Sequence, residues 1–221
     1  MNEYLKAQSK TNETIVAGLY NADELNRFSK SDFRWADNRK KQFQFRTVKK
    51  GEIYQLEFGK NYVPEMSYEH RGLVIGVKKK LLYVLPIFSY SPAKHPDVYH
   101  PVDFPNSKSD LFLLKSQDFS FLKHNSVLKL NDIRTVSINR ILYQHTGRMD
   151  LNSDTYKQIE FLALQKYFPE VHHKLTQKEI AVTALNEDKK KLAEENAALT
   201  EENKKLKEEL KFLQVKLSTS K

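Results

Sequence analysis

Leu185, Leu192, Leu199, Leu206 and Leu213 recur every seven residues. An apolar period of 3.5 residues, sustained over several heptads, dictates a helix that supercoils with a partner, because only that period keeps one seam facing it. With these leucines at d, the a positions are Val182, Lys189, Asn196, Asn203, Leu210 and Leu217. Leucine at d with asparagine at a predicts a parallel, in-register coiled coil, hence a homodimer or a higher oligomer, with the two asparagines and the lysine lowering its stability. Glu202 at g faces Lys207 at e of the partner chain. The same asparagines also suit a partner of different sequence, which leaves an adaptor role open.

A zipper in a chain of net charge +9 suggests a basic-zipper DNA-binding protein, whose basic region must run straight into the zipper helix. The stretch before the zipper, TYKQIEFLALQKYFPEVHHKLTQKE, carries few cations and is interrupted by Pro169. Its spacing of Ile159, Leu162, Ala163 and Lys166, opened by Ser153 as an N-cap, predicts a helix packed on the domain instead. The positive charge lies elsewhere. Between Arg27 and Lys50, nine basic residues oppose only Asp32 and Asp37, interleaved with Phe28, Phe33, Trp35, Phe43 and Phe45. Cations and aromatics so mixed suit phosphate contacts and base stacking, and equally a solvated basic helix whose rings dock on a core.

The middle of the chain has the period of strands. GEIYQLEF (51–58), GLVIGV (72–77), LLYVLPIF (81–88), DLFLLK (110–115) and IRTVSI (133–138) are short and rich in β-branched and aromatic residues. Five such strands predict a small barrel or rolled sheet. Ser89 to Ser109, with four prolines and two histidines, is expected to be a surface excursion, and the N-terminal region is expected to be helical. Cysteine is absent, no apolar run approaches the ~18 residues that span a bilayer, and the first residues lack a signal's apolar core. A cytoplasmic protein is the expectation.

Three blocks in this region resemble the MazF/PemK family of toxin endoribonucleases. KKGEIYQLEFGKNYVPEMSYEHRGLVIG (49–76) is similar to that family's opening strand, loop and Arg-Pro-led second strand, with Gly72 in place of the proline. YVLPIFSYS (83–91) resembles its third strand and hydroxyl-bearing end, and LNDIRTVSINRI (130–141) its Asp-x-Ile-Arg-Thr-Val block. SPAKH (91–95) is similar to a stretch of the related ToxN/AbiQ type III toxins. The resemblance covers about 95 of the 221 residues. It implies a small SH3-like β-barrel that cuts single-stranded RNA without metal or cofactor and is neutralised by an antitoxin; with the helices read on either side of it, the fold expected is α+β. The organisation expected is a basic helical arm over 1–45, a barrel over 46–145, a packing helix over 150–173 and a parallel coiled coil over 174–221.

Cleavage through the RNA 2′-hydroxyl requires a group to take its proton, a group to protonate the leaving 5′-oxygen and a cation for the charge on phosphorus. Arg71, leading a strand after a loop, is the candidate cation; arginines at strand starts are also commonly mere surface residues. The hydroxyl position falls on Ser89 if counted from Arg71 and on Phe88 if counted from Leu85 and Pro86, with Ser91 in reserve through SPAKH. Only a serine there can hydrogen-bond a phosphate. His70, Lys94 and His95 are candidates for proton transfer or phosphate contact. By resemblance Glu65, Arg134 and Thr135 join the substrate-binding set, against the plainer roles of loop solubility and strand pairing. No pair among the seven histidines has a metal-binding spacing, since His172 and His173 diverge on a helix and Pro96 separates His95 from His100. Phosphate-cradling glycine loops and a nucleophile elbow are missing. A barrel that retains its groove but has lost cleavage, dimerised by the zipper as a nucleic-acid-binding or protein-interaction module, is the competing expectation.

Overall fold

A computed structural model of the chain describes residues 2–38 and 47–219, and falls into two units that divide between Tyr167 and Phe168. Among the described residues, α1 (Asn2–Val16) and α2 (Ala22–Asn38) precede β1 (Glu52–Glu57), β2 (Glu69–Lys78), β3 (Leu81–Ser89), β4 (Leu111–Leu114), β5 (Ser126–Lys129), β6 (Arg134–Ser137) and β7 (Ile141–Arg148). Then come α3 (Asp154–Tyr167) and α4 (Pro169–Thr219). Arg39, Lys40, Lys41, Phe43, Phe45 and Arg46 of the basic arm lie outside the described residues.

The architecture is α+β, with one antiparallel sheet in the order β4-β5-β3-β2-β1-β7. The nine-residue β3 shares one edge between two partners: Ile87 to Ser89 pair with β5, and Leu81 to Val84 with β6. β4 and β7 end the order, so the sheet does not close into a barrel. Five strands were expected and seven are found. The additional β5 has only four residues, and β7 buries only Ile141, so neither shows the apolar–polar alternation that an apolar count detects.

Side-chain alternation divides the core between the two faces of the sheet. Ile53, Leu73, Leu85, Ile87, Phe112 and Leu128 pack on one face beneath Tyr156 and Ile159 of α3. Tyr54, Leu56, Val74, Leu82, Val84, Val136 and Ile141 fill the other. Because β3 is buried on both faces it reads as a nearly continuous apolar run, and each fully buried leucine or isoleucine contributes about 1.5–3 kcal/mol. At Gly72, paired with Pro86, a Cβ would lie 2.7 Å from Leu56 Cδ1 and 3.5 Å from Val84 Cβ, so this second core already occupies the space of a side chain.

Ser153 caps α3, its Oγ accepting from Tyr156 N–H at 3.2 Å, and Ile159 and Ala163 face the sheet as the spacing predicts. The break between the last two helices falls at Phe168, earlier than the expected boundary at 173, because Pro169 is accommodated in the first turn of α4. The segment from Ser89 to Ser109 is pinned rather than free: Val98 is buried, and Tyr99 bridges to Phe112.

α4 has 51 residues and, at 1.5 Å per residue, is about 76 Å long. Leu185, Leu192, Leu199, Leu206 and Leu213 are 51–66% exposed, and Val182 and Leu210 are exposed with them. The side chain of Leu217 lies outside those described. No described helix is long and apolar enough to cross a membrane.

Candidate active site

Register brings a polar cluster together at one end of the face that carries the first core. Gln55 pairs with Arg71, Arg71 with Ile87, and Ile87 with Leu128, while Tyr143 pairs with Gln55 from the other side. Ser89, two residues beyond Ile87, therefore shares the face of Arg71 as its diagonal neighbour, a relation that sets side chains about 7–8 Å apart. Ser126 lies directly opposite Ser89. Phe88 points to the other face, packing with Val98, Leu113 and Val127 and against the His95 ring at 4.9 Å. Ser89 thus shares a face with Arg71, and Phe88 does not.

Arg71 is half-buried. Its Nη2 donates to Ser126 Oγ at 3.1 Å, and Ser126 in turn donates to His124 O at 3.0 Å. Among the described residues no carboxylate pairs with Arg71, and burial lowers its pKa from the ordinary arginine value, the nearby Tyr143 working in the opposite direction. A guanidinium carries five donors in a planar fork, so most of this one's bonding capacity remains for an anion.

His145 lies beside this cation. Its pKa is lowered first by desolvation and then by Arg71, and its ring packs 5.2 Å from that of Tyr143. The tautomer follows from its neighbours. Gln55 Nε2 donates to Glu69 Oε1 at 3.0 Å, which fixes the amide so that Oε1 faces His145 Nε2 at 3.0 Å. Nε2 must then carry the hydrogen, and in the neutral ring Nδ1 keeps a free lone pair, as a general base requires.

The relay continues into α2. Glu57 and Glu69 face each other across β1 and β2, an arrangement that is repulsive on its own. Arg34 spans them, with Nη1 3.0 Å from Glu57 and Nη2 on Glu69. Burial would lower the pKa of Arg34, but its hydrogen bonds to the two carboxylates outweigh this and raise it. Ser31 Oγ also donates to Glu57, which is only 6% exposed. Phe28 packs under Lys60 at 3.9 Å, whereas Phe33 and Trp35 are 73% and 61% exposed; the helix thus docks through polar groups more than through its rings.

The remaining residues picked from the sequence divide. His70 adjoins Arg71, its pKa lowered by desolvation first and then by Arg27, with Arg71 adding to the effect. Ser91, Lys94 and His95 form a turn just past Ser89, where Lys94 N–H and His95 N–H donate to Ser91 O and Ser91 N–H donates to His95 Nδ1. Glu65 and Arg134 are apart from the cluster: they form a 2.8 Å ion pair, and Arg134 also bonds Asp132. Asp132 accepts from Met66 N–H, so this group fastens the β1–β2 loop. Thr135 pairs with Tyr83, six residues from Ser89 along β3, or about 20 Å. The sequence reading missed Gln55, Glu69, Ser126, Tyr143 and His145. Among the described residues no group of three or more His, Asp or Glu is placed to hold a metal ion. No protein-family model matches the chain, and no curated protein matches it either.

Proposed function

We propose that the chain is a MazF/PemK-like endoribonuclease that cuts single-stranded RNA at the Arg71 cluster without a metal, the open sheet being a counterpart of that family's SH3-like barrel. The observation that carries this reading is the setting of Arg71: a half-buried cation that no carboxylate among the described residues pairs with, bonded to Ser126, on the face of Ser89 and beside His145, whose pKa is lowered. Such a charge is a liability to folding and an asset to anion binding. Arg71 holds the scissile phosphate and Ser89 donates to one of its oxygens, while Ser126, whose one proton goes to His124 O, positions the guanidinium. His145 Nδ1 takes the 2′-hydroxyl proton as the 2′-oxygen bonds to phosphorus; the phosphorus–5′-oxygen bond breaks, and the Tyr143 phenol protonates the leaving oxygen, to be reprotonated by the imidazolium through solvent. The products are a 2′,3′-cyclic phosphate and a 5′-hydroxyl. Arg71 stabilises the charge that grows on phosphorus between these states.

In this reading two α4 helices join along the exposed leucine seam as a parallel coiled coil, so the active form is a dimer or a higher oligomer, and an antitoxin partner restrains it. A second reading, a groove that binds RNA without cutting it, is favoured by one detail: Arg71 bonds Ser126 rather than Ser89. The test is incubation of end-labelled single-stranded RNA with the protein in a chelator. Wild type is expected to give cyclic-phosphate ends, and Arg71→Ala to be at least about 100-fold slower, the order of one lost transition-state charge contact. Salt-sensitive binding without scission selects the second reading, and neither binding nor scission removes both.

A further inference from the structure

Arg27, Lys30 and Arg34 follow one another at i, i+3 and i+7, so they share one face of α2. Among the described residues, the helix makes its cross-element ion pairs through Arg34 and Asp32, not through Arg27 or Lys30. Between this face and the start of β2 lies a cavity of about 390 Å³, lined by Asn26, Arg27, Lys30, Tyr68 and His70 among others. Its carboxylates are Asp23 and Glu69, the latter held by Arg34, so three cations face two carboxylates.

The cavity adjoins the Arg71 cluster. Gln55 lines it and also bonds His145. His70 lies within the fields of both Arg27 and Arg71, and the two carboxylates that oppose them there, Glu69 and Glu57, are bridged by Arg34. Tyr68 borders the same cavity in a left-handed conformation, φ +63°, that residues other than glycine seldom adopt. Its N–H donates to Gly59 O and its carbonyl accepts from Phe58 N–H, so the conformation is fixed by the ladder's irregular end. What this achieves is an aromatic ring held at the wall of a cationic cavity.

We propose that this cavity is a second nucleic-acid subsite, in which Arg27 and Lys30 bind the phosphate next to the scissile one on single-stranded RNA and Tyr68 stacks the attached base. The subsite rests on the nuclease reading above, because it presumes a strand already anchored at Arg71. Cation pairs on a backbone phosphate beside an aromatic platform are how single strands are held without a sequence code.

The probe is a single-stranded 2′-O-methyl RNA of about 10 nucleotides, which cannot be cut, bound to the full chain and followed by fluorescence anisotropy across salt concentrations. For Arg27→Gln/Lys30→Gln, the slope of log affinity against log salt is expected to fall by about 0.7 for the phosphate charge no longer neutralised. With cleavable RNA the same variant raises KM about tenfold at constant kcat, the mark of lost uniform binding. Tyr68→Gly, which keeps the backbone conformation, weakens binding about tenfold with the slope unchanged. Lys78→Gln/Lys80→Gln on the distant hairpin is the charge-matched control and keeps the wild-type slope. If Arg27→Gln/Lys30→Gln matches that control while Arg71→Ala still loses cleavage, the subsite is refuted and the nuclease stands. If wild type neither binds nor cuts the RNA, both fall together.

Discussion

Replacing Arg71 with methionine should make the protein more stable and nearly inactive at once. Burial lowers the pKa of Arg71, which means that the folded state disfavours the charged form the side chain holds at pH 7. Folding is therefore opposed by that charge. Methionine removes the opposition, fills similar space between Ile87 and Gln55, and orphans nothing, because Ser126 Oγ still donates to His124 O. The gain expected from relieving a functional site of this kind is about 1–2 kcal/mol. A unit of about this size gains about 2–4 °C in Tm for each kcal/mol, so Tm should rise by about 2–8 °C. The assay is a thermal melt followed by near-ultraviolet circular dichroism, which reports the packed sheet unit, run beside the RNA cleavage assay. Cleavage should fall at least about 100-fold. A variant that loses 1 kcal/mol or more in stability and cuts RNA at the wild-type rate would refute the reasoning, since Arg71 would then be a structural residue.

His145→Gln should slow cleavage about 10²–10⁴-fold, the range for a lost general base. In the wild type the acid limb of the rate profile should lie below pH 6.5, the value of an unperturbed histidine, because desolvation and Arg71 lower the pKa of His145; Arg71→Met moves that limb upward. Stability should follow the same groups. His70 and His145 are both held below 6.5, so the unfolded chain binds protons before the folded one does, and stability is lost as pH falls from 6.5 toward the folded values. Urea melts of His70→Gln/His145→Gln should show a flatter dependence there. Leu192→Asp/Leu199→Asp on the α4 seam should reduce the mass in light scattering from a multiple of 25.9 kDa to 25.9 kDa itself. Arg34→Met leaves Glu57 and Glu69 face to face and should cost about 3 kcal/mol, read from urea unfolding, while loosening α2 toward proteolysis.

What the sequence disclosed follows from where burial is two-sided. β3 is covered on both faces, so LLYVLPIF reads as a strand at once, and Ser153 with Ile159 and Ala163 announces α3. β7 is different: it buries Ile141 and then presents Tyr143 and His145 beside the polar cluster, so its alternation is of polar and aromatic groups that no apolar count detects. The base of the proposed reaction was lost with that strand. Ser126 was missed for a related reason, since SVLK is too short to register as a strand, and only pairing shows that it lies opposite Ser89. The Glu69–Gln55–His145 relay joins residues up to 90 positions apart and exists only once β1 is flanked by both β2 and β7. The signal available was alternation in ILYQHT, which places Tyr143 and His145 on one face of any strand formed there. The resemblance led to Glu65 and Arg134 as substrate contacts, yet their ion pair and Asp132 give them a sufficient structural task in fastening the loop.

The most direct measurement is a crystal structure of the protein with a single-stranded RNA carrying one 2′-deoxy nucleotide at its cleavage site, which removes the nucleophile and leaves every phosphate in place. A phosphate should sit on the Arg71 guanidinium at about 2.7–2.9 Å, the distance of a charge-assisted hydrogen bond, with the adjacent ribose C2′ turned toward His145 Nδ1. An RNA strand bound elsewhere, with Arg71 still bonded to Ser126 alone, would contradict the account.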